Sequence, residues 1–117
     1  MKRLAAMATV LFVVFGAASA LAARVHMVVS PSAVGAGGVI TVSASSSPCL
    51  PGDQVTLISA AFPGHAFGEG AVNGRVGGHG SFSVRARVRS GLRPGRYQIG
   101  ARCGGGNLGV SVYFRVR

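Results

Sequence analysis

From Val25 onward, apolar and polar residues alternate with a period of two in one short run after another. That is the spacing of a strand with one face in a core and the other in water. The cleanest run is Phe82 to Arg89, where Phe82, Val84, Ala86 and Val88 point one way and Ser83, Arg85, Arg87 and Arg89 the other. Tyr97, Ile99, Ala101 and Cys103 form an inward face on the next run, with Arg96, Gln98 and Arg102 outward. Val110, Val112, Phe114 and Val116 do the same on the last, against Ser111, Tyr113, Arg115 and Arg117. Earlier, Ile40, Val42 and Ala44 alternate with Thr41 and Ser43, and Val55 and Leu57 with Thr56, although Ile58 breaks that rhythm. Val25, Met27 and Val29 open the series, and a weaker strand is expected near Ala71 to Val76. No window shows the period of an amphipathic helix.

Glycine and proline separate these runs. Pro31, Gly35, Gly37 and Gly38 divide the first from the second, and Pro48, Pro51 and Gly52 the second from the third. Pro94-Gly95 turns the chain into Tyr97. Glycine permits positive φ and proline fixes φ, so both suit tight connections. The glycine-rich stretch from Phe62 to Gly80 is expected to be the loosest part. About seven short strands in a chain of this length predict an all-β fold, a single immunoglobulin-like antiparallel β-sandwich over residues 23–117.

The first residues read differently. Lys2 and Arg3 precede an apolar stretch strongest from Val10 to Phe15, and small residues close it at Ala18-Ser19-Ala20 and Ala20-Leu21-Ala22. This layout predicts a cleaved signal peptide over residues 1–22. The alternative is an uncleaved anchor, since Leu4 to Ala23 carries no charge and is long enough to span a bilayer. Cleavage would leave no stable membrane span and place the domain outside the cell or in its wall. In such an oxidising compartment Cys49 and Cys103 are expected to pair, the alternative being two free thiols. In an up-and-down run the second and sixth strands share a direction, so Cys49, just after one, and Cys103, ending the other, meet at one pole. A loop of this length gives a chain-entropy contribution of roughly 4 kcal/mol. Tyr97 also stands where a tyrosine corner would bond backbone across the preceding turn.

Charge changes the functional picture. The formal net charge is +10, and beyond Lys2 and Arg3 every basic residue is arginine, opposed only by Asp53 and Glu69. Such a surface attracts anionic polymers. Arg85, Arg87 and Arg89 would form a stripe at intervals of about 7 Å on one strand face. Arg96, Arg102, Arg115 and Arg117 would lie on the outer face of the last two strands. In the expected sandwich these sets belong to different sheets. Diffuse contact with anionic cell-envelope polymers follows, rather than sequence-specific nucleic-acid binding. Only Tyr113 shares a face with arginines, which is thin for a base-stacking platform.

Catalytic chemistry finds little support. His65, Glu69 and His79 sit in the glycine-rich stretch and are the one grouping with metal-ligand character, but no His-Glu-x-x-His motif is present. No Gly-x-Ser-x-Gly turn supports a nucleophilic serine, and Asp53 is the sole aspartate. No enzyme, cofactor or metal is expected.

Val29-Ser30-Pro31-Ser32, Gly37-Gly38-Val39-Ile40-Thr41-Val42-Ser43 and Cys49-Leu50-Pro51-Gly52-Asp53-Gln54-Val55 resemble segments of small secreted immunoglobulin-like domains of high-GC Gram-positive bacteria. Gly80-Ser81-Phe82, Pro94-Gly95-Arg96-Tyr97 and Arg102-Cys103-Gly104-Gly105-Gly106 complete the likeness, which covers roughly Val25 to Arg117. It implies a disulfide-bonded sandwich at or outside the cell surface. The opening strands also resemble the neocarzinostatin-type apoproteins, which bind a chromophore in a cleft. Two readings follow: a non-catalytic binding or structural module with a basic surface, or a small-ligand carrier with a concave apolar pocket between loops at one pole.

Overall fold

The computed structural model describes residues 25–65, 68–104 and 106–117, so the leader expected over residues 1–22 lies outside the described residues. Eight strands follow in order: β1 (Met27–Ser30), β2 (Ala33–Val34), β3 (Val39–Ala44), β4 (Gln54–Ser59), β5 (Gly70–Arg75), β6 (Phe82–Arg87), β7 (Gly95–Cys103) and β8 (Gly106–Val116). They form a three-stranded sheet, β1-β3-β6, and a five-stranded sheet, β2-β8-β7-β4-β5. Every pairing is antiparallel except β2 with β8.

The alternation in the sequence is the reason for these strands. Ile40, Val42 and Ala44 on β3, and Phe82, Val84 and Ala86 on β6, are buried while their neighbours reach outward. Across the core they meet Val55, Leu57, Ile99, Ala101, Phe114 and Val116 from the other sheet. Burying each of the valine, leucine, isoleucine and phenylalanine side chains contributes about 1.5–3 kcal/mol, which no solvated loop would return. Ile58 does not break the rhythm of β4. It is half-buried on the outer face, and the inward row continues as Val55, Leu57 and Ser59. The buried Ser59 hydroxyl accepts a hydrogen bond from the Ala61 amide at 3.1 Å.

Three expectations need correction. The Pro31–Gly38 break contains β2, which Ser32 and Val34 hold by accepting from the amides of Arg115 and Arg117, each at 2.9 Å. Strand β6 ends at Arg87 rather than Arg89, because the Val88 amide turns to the Gly38 carbonyl and the Arg89 amide to the Ala61 carbonyl. Val88 is fully buried all the same. The described part of Phe62–Gly80 is irregular outside β5, but it is not loose throughout. Phe62 is 1% exposed, β5 occupies Gly70–Arg75, and Val76 is held between Gly52 and Asp53 by two backbone hydrogen bonds. Glycine there answers to close packing: a Cβ at Gly70 would strike the Phe62 carbonyl, and one at Gly80 the Ser47 carbonyl.

Cys49 and Cys103 are disulfide-bonded, with Cα atoms 5.9 Å apart, where the segment after β3 meets the end of β7. The bond lies at one end of the two-sheet body, as the strand directions require. At the other end the Tyr97 hydroxyl donates to the Arg93 carbonyl at 2.8 Å, and its ring lies 6.1 Å from that of Phe114. Tyr97 therefore fastens the turn that leads into its own strand.

Candidate binding surfaces

The two sheets divide the arginines as the strand order predicts. Arg85 and Arg87 project from the outer face of the three-stranded sheet, opposite Thr41 and Val39 of β3, and Arg89 follows in the connection beyond. Arg87 donates to the Gly37 carbonyl at 2.9 Å. Arg89 donates to the Ala60 carbonyl through both Nε (3.2 Å) and Nη2 (2.9 Å). Two members of this stripe are thus tied to connecting segments.

The five-stranded sheet presents a different arrangement. Arg96 and Arg115 are direct cross-strand partners on β7 and β8, and Gln98 faces Tyr113 one step along. The Arg96 guanidinium carbon sits 3.9 Å from the centroid of the Tyr113 ring, a cation–π contact. A shallow depression of about 290 Å³ lies over this group, bordered by Ser32, Ala33, Arg96, Tyr113, Phe114 and Arg115. Arg117 reaches the Ala33 carbonyl at 3.4 Å. Arg102 is half-buried farther along β7, opposite Thr56 and Asn107. Arg75 was not among the expected contact residues. It donates to the Gly52 carbonyl at 3.0 Å from the outer strand β5, where the weak alternation of that strand hid it.

A larger open groove, about 510 Å³, crosses the same sheet over Gly100, with Ile58, Glu69, Gln98, Arg102, Asn107 and Ser111 on its sides. Its floor is open because Gly100 has no side chain and the β7–β8 register shifts between Gly100 and Arg102. This differs from the pocket expected of a carrier. The groove lies on a sheet face rather than between loops at a pole, and most of its side chains are polar.

His65 and His79 do not meet. His65 lies in the β4–β5 connection beside Glu69 and Arg89, in a depression of about 560 Å³. His79 lies in the single 3₁₀ turn Gly78–Gly80 between β5 and β6, where its carbonyl accepts from the Ser47 amide at 3.2 Å. Strand β5 separates the two connections, carrying them to opposite ends of the sheet. Among the described residues no three His, Cys, Asp or Glu side chains gather in a way that could hold a metal ion.

No protein-family profile matches the chain, and no curated protein matches it. Solved structures that the chain resembles include the following two. Macromomycin, a neocarzinostatin-family apoprotein, matches 80% of this chain over 97% of its own, at 14% identity and a TM-score of 0.50. An alkylpurine DNA glycosylase of Pseudomonas fluorescens, bound to DNA containing an abasic site analog, matches 79% of this chain at 24% identity and a TM-score of 0.46. The chain spans only 29% of that glycosylase. At these identities the macromomycin likeness is one of fold, an all-β body of two sheets, and the neocarzinostatin resemblance holds at that level.

Proposed function

We propose that this chain is an exported, non-catalytic, immunoglobulin-like module whose arginine surface contacts anionic polymers of the cell envelope. The observation that carries the reading is the outward projection of arginines from both sheets, with Asp53 and Glu69 the only acidic side chains beside them. Guanidinium groups in water-facing positions attract polyanions over a Debye length of roughly 10 Å at moderate salt. The strand order, with β1-β3-β6 against β2-β8-β7-β4-β5, supports the immunoglobulin-like assignment. The Cys49–Cys103 bond supports an oxidising compartment. The experiment is retention of the purified domain on isolated cell wall, anionic vesicles and nucleic acid at low and high salt. Retention on wall that salt releases is the expected result, and its absence would sink the reading. Mass spectrometry of the exported protein, with and without reductant, tests the leader and the disulfide together.

A second reading, a small-ligand carrier, draws on the fold shared with macromomycin and on the groove over Gly100. A Cβ at Gly100 meets nothing within 4 Å, so Gly100→Ala would raise the groove floor without a clash. Native mass spectrometry of the protein from its own cells would show a bound mass that this variant loses. A bare protein in both cases counts against the carrier.

A further inference from the structure

We infer that Arg96 and Arg115, with Tyr113 and Ser32, form a discrete site for a phosphate group, of the kind a phosphodiester polymer presents. This deepens the polyanion reading above and rests on it for the choice of polymer.

Like charges directly opposite each other on neighbouring strands are unfavourable. Arg96 and Arg115 are such a pair, both exposed on one face, in register as Cα partners. Neither Asp53 nor Glu69 borders the depression they share. Among the described residues Arg115 has no side-chain hydrogen bond or ion pair, whereas Arg87, Arg89, Arg75 and Arg117 each donate to a carbonyl. Arg96 is held in place by its stack on Tyr113, which orients the guanidinium without using up its donors. Ser32 is at the rim, because its carbonyl accepts from the Arg115 amide where β2 begins alongside β8. Two guanidinium forks without hydrogen bonds of their own, one of them stacked on Tyr113, therefore border one shallow depression, with Ser32 beside them.

The donor set selects the ligand. A carboxylate has two oxygens, and one guanidinium satisfies both in a bidentate pair. Two guanidiniums from adjacent strands match an anion whose acceptor oxygens spread in three dimensions rather than in one plane, as the two non-bridging and two ester oxygens of a phosphodiester do. A phosphate group meets that description and neutralises the repulsion between the pair. The depression is open and shallow, which suits a group repeated along a chain better than an enclosed small molecule.

The test follows the arginine Nε–H resonances by NMR while inorganic phosphate is added at constant ionic strength, with acetate as the comparison anion. The expected result is a saturable shift at Arg96 and Arg115, weaker with acetate, and absent at Arg85 on the opposite sheet. Arg115→Lys keeps the charge and loses the fork, so it should weaken phosphate binding roughly tenfold. Diffuse attraction would leave that variant equal to the parent, and equal affinities overturn the inference. So do shifts spread evenly over Arg85, Arg96 and Arg115. Retention on immobilised poly(glycerol phosphate) is measured in parallel. Polymer retention with an unaffected Arg115→Lys keeps the broader reading and ends this site. Saturable phosphate binding at Arg96 and Arg115 without polymer retention leaves the site and ends the broader reading.

Discussion

The outer faces of the two sheets both carry arginine, and the clearest contrast is between Arg87 and Arg89 on one and Arg96 and Arg115 on the other. On the three-stranded sheet, Arg87 and Arg89 bend back to the carbonyls of Gly37 and Ala60, which belong to connecting segments. Those carbonyls have left the strand ladders, and the guanidiniums supply donors the backbone lacks there. On the five-stranded sheet, Arg96 lies on an aromatic ring and Arg115 faces it with no side-chain hydrogen bond or ion pair among the described residues. Arg87 and Arg89 work as part of the fold, as Arg75 and Arg117 do at the edges of the five-stranded sheet, while Arg96 and Arg115 keep their donors for a ligand. A count of exposed positive charges therefore overstates the surface open to a partner, because an arginine already bonded to its own backbone must be released before it can bind anything else.

That contrast can be broken or sharpened by mutation. The largest effect should come from replacing both cysteines by alanine, with a loss of about 2–5 kcal/mol in denaturant-induced unfolding. Phosphate affinity should survive it, because Arg96 lies near the start of β7 and Cys103 ends that strand. A parallel loss of binding would show that the two ends of β7 are not independent. Next, Arg89→Ala should cost about 1–2 kcal/mol in the same measurement, since it removes a two-pronged bond to Ala60. If it costs nothing, the three-stranded face is no more committed to the fold than the other. Tyr97→Phe deletes only the hydroxyl bonded to Arg93 and should cost about 0.5–1.5 kcal/mol, while leaving the Tyr113 stack intact. Smallest of all, Arg115→Gln should change stability by less than about 0.5 kcal/mol, and relief of the cross-strand repulsion should make any change a gain. A marked loss would mean that Arg115 has a structural duty like that of Arg89.

Much of the architecture was legible in the chain because its strands are half-buried. Phe82–Arg87, Tyr97–Cys103 and Val110–Val116 declare their inward rows by side-chain type alone, and from their order follow the two sets of arginines and the meeting of Cys49 with Cys103. Strand β2 was not legible. Two residues cannot show a period, and its reason for existing is the far end of the chain, at Arg115 and Arg117. In the described part of Phe62–Gly80, two of the glycines mark close packing rather than freedom: Gly70 and Gly80 approach the Phe62 and Ser47 carbonyls. At the candidate site, the pairing of Arg96 with Arg115 was not legible, because the β7–β8 register shifts between Gly100 and Arg102 and the turn alone would set Arg96 against Tyr113. That Arg87 and Arg89 are committed elsewhere was hidden, since their acceptors lie 50 and 29 positions away in irregular backbone.

The parallel pairing of β2 with β8 and the Cys49–Cys103 bond have a joint mechanical consequence. Tension carried along the chain from β2 to β8 would load their hydrogen bonds along the strand axis, sharing the force among them instead of peeling them singly. Once that clamp slips, extension stops at the cysteines, and the chain between them, a separation of 54 positions, stays out of the load path. Under tension the body would lengthen only through its outer segments, at about 3.3–3.6 Å per residue, and the core between the bridged cysteines would ride along unstretched.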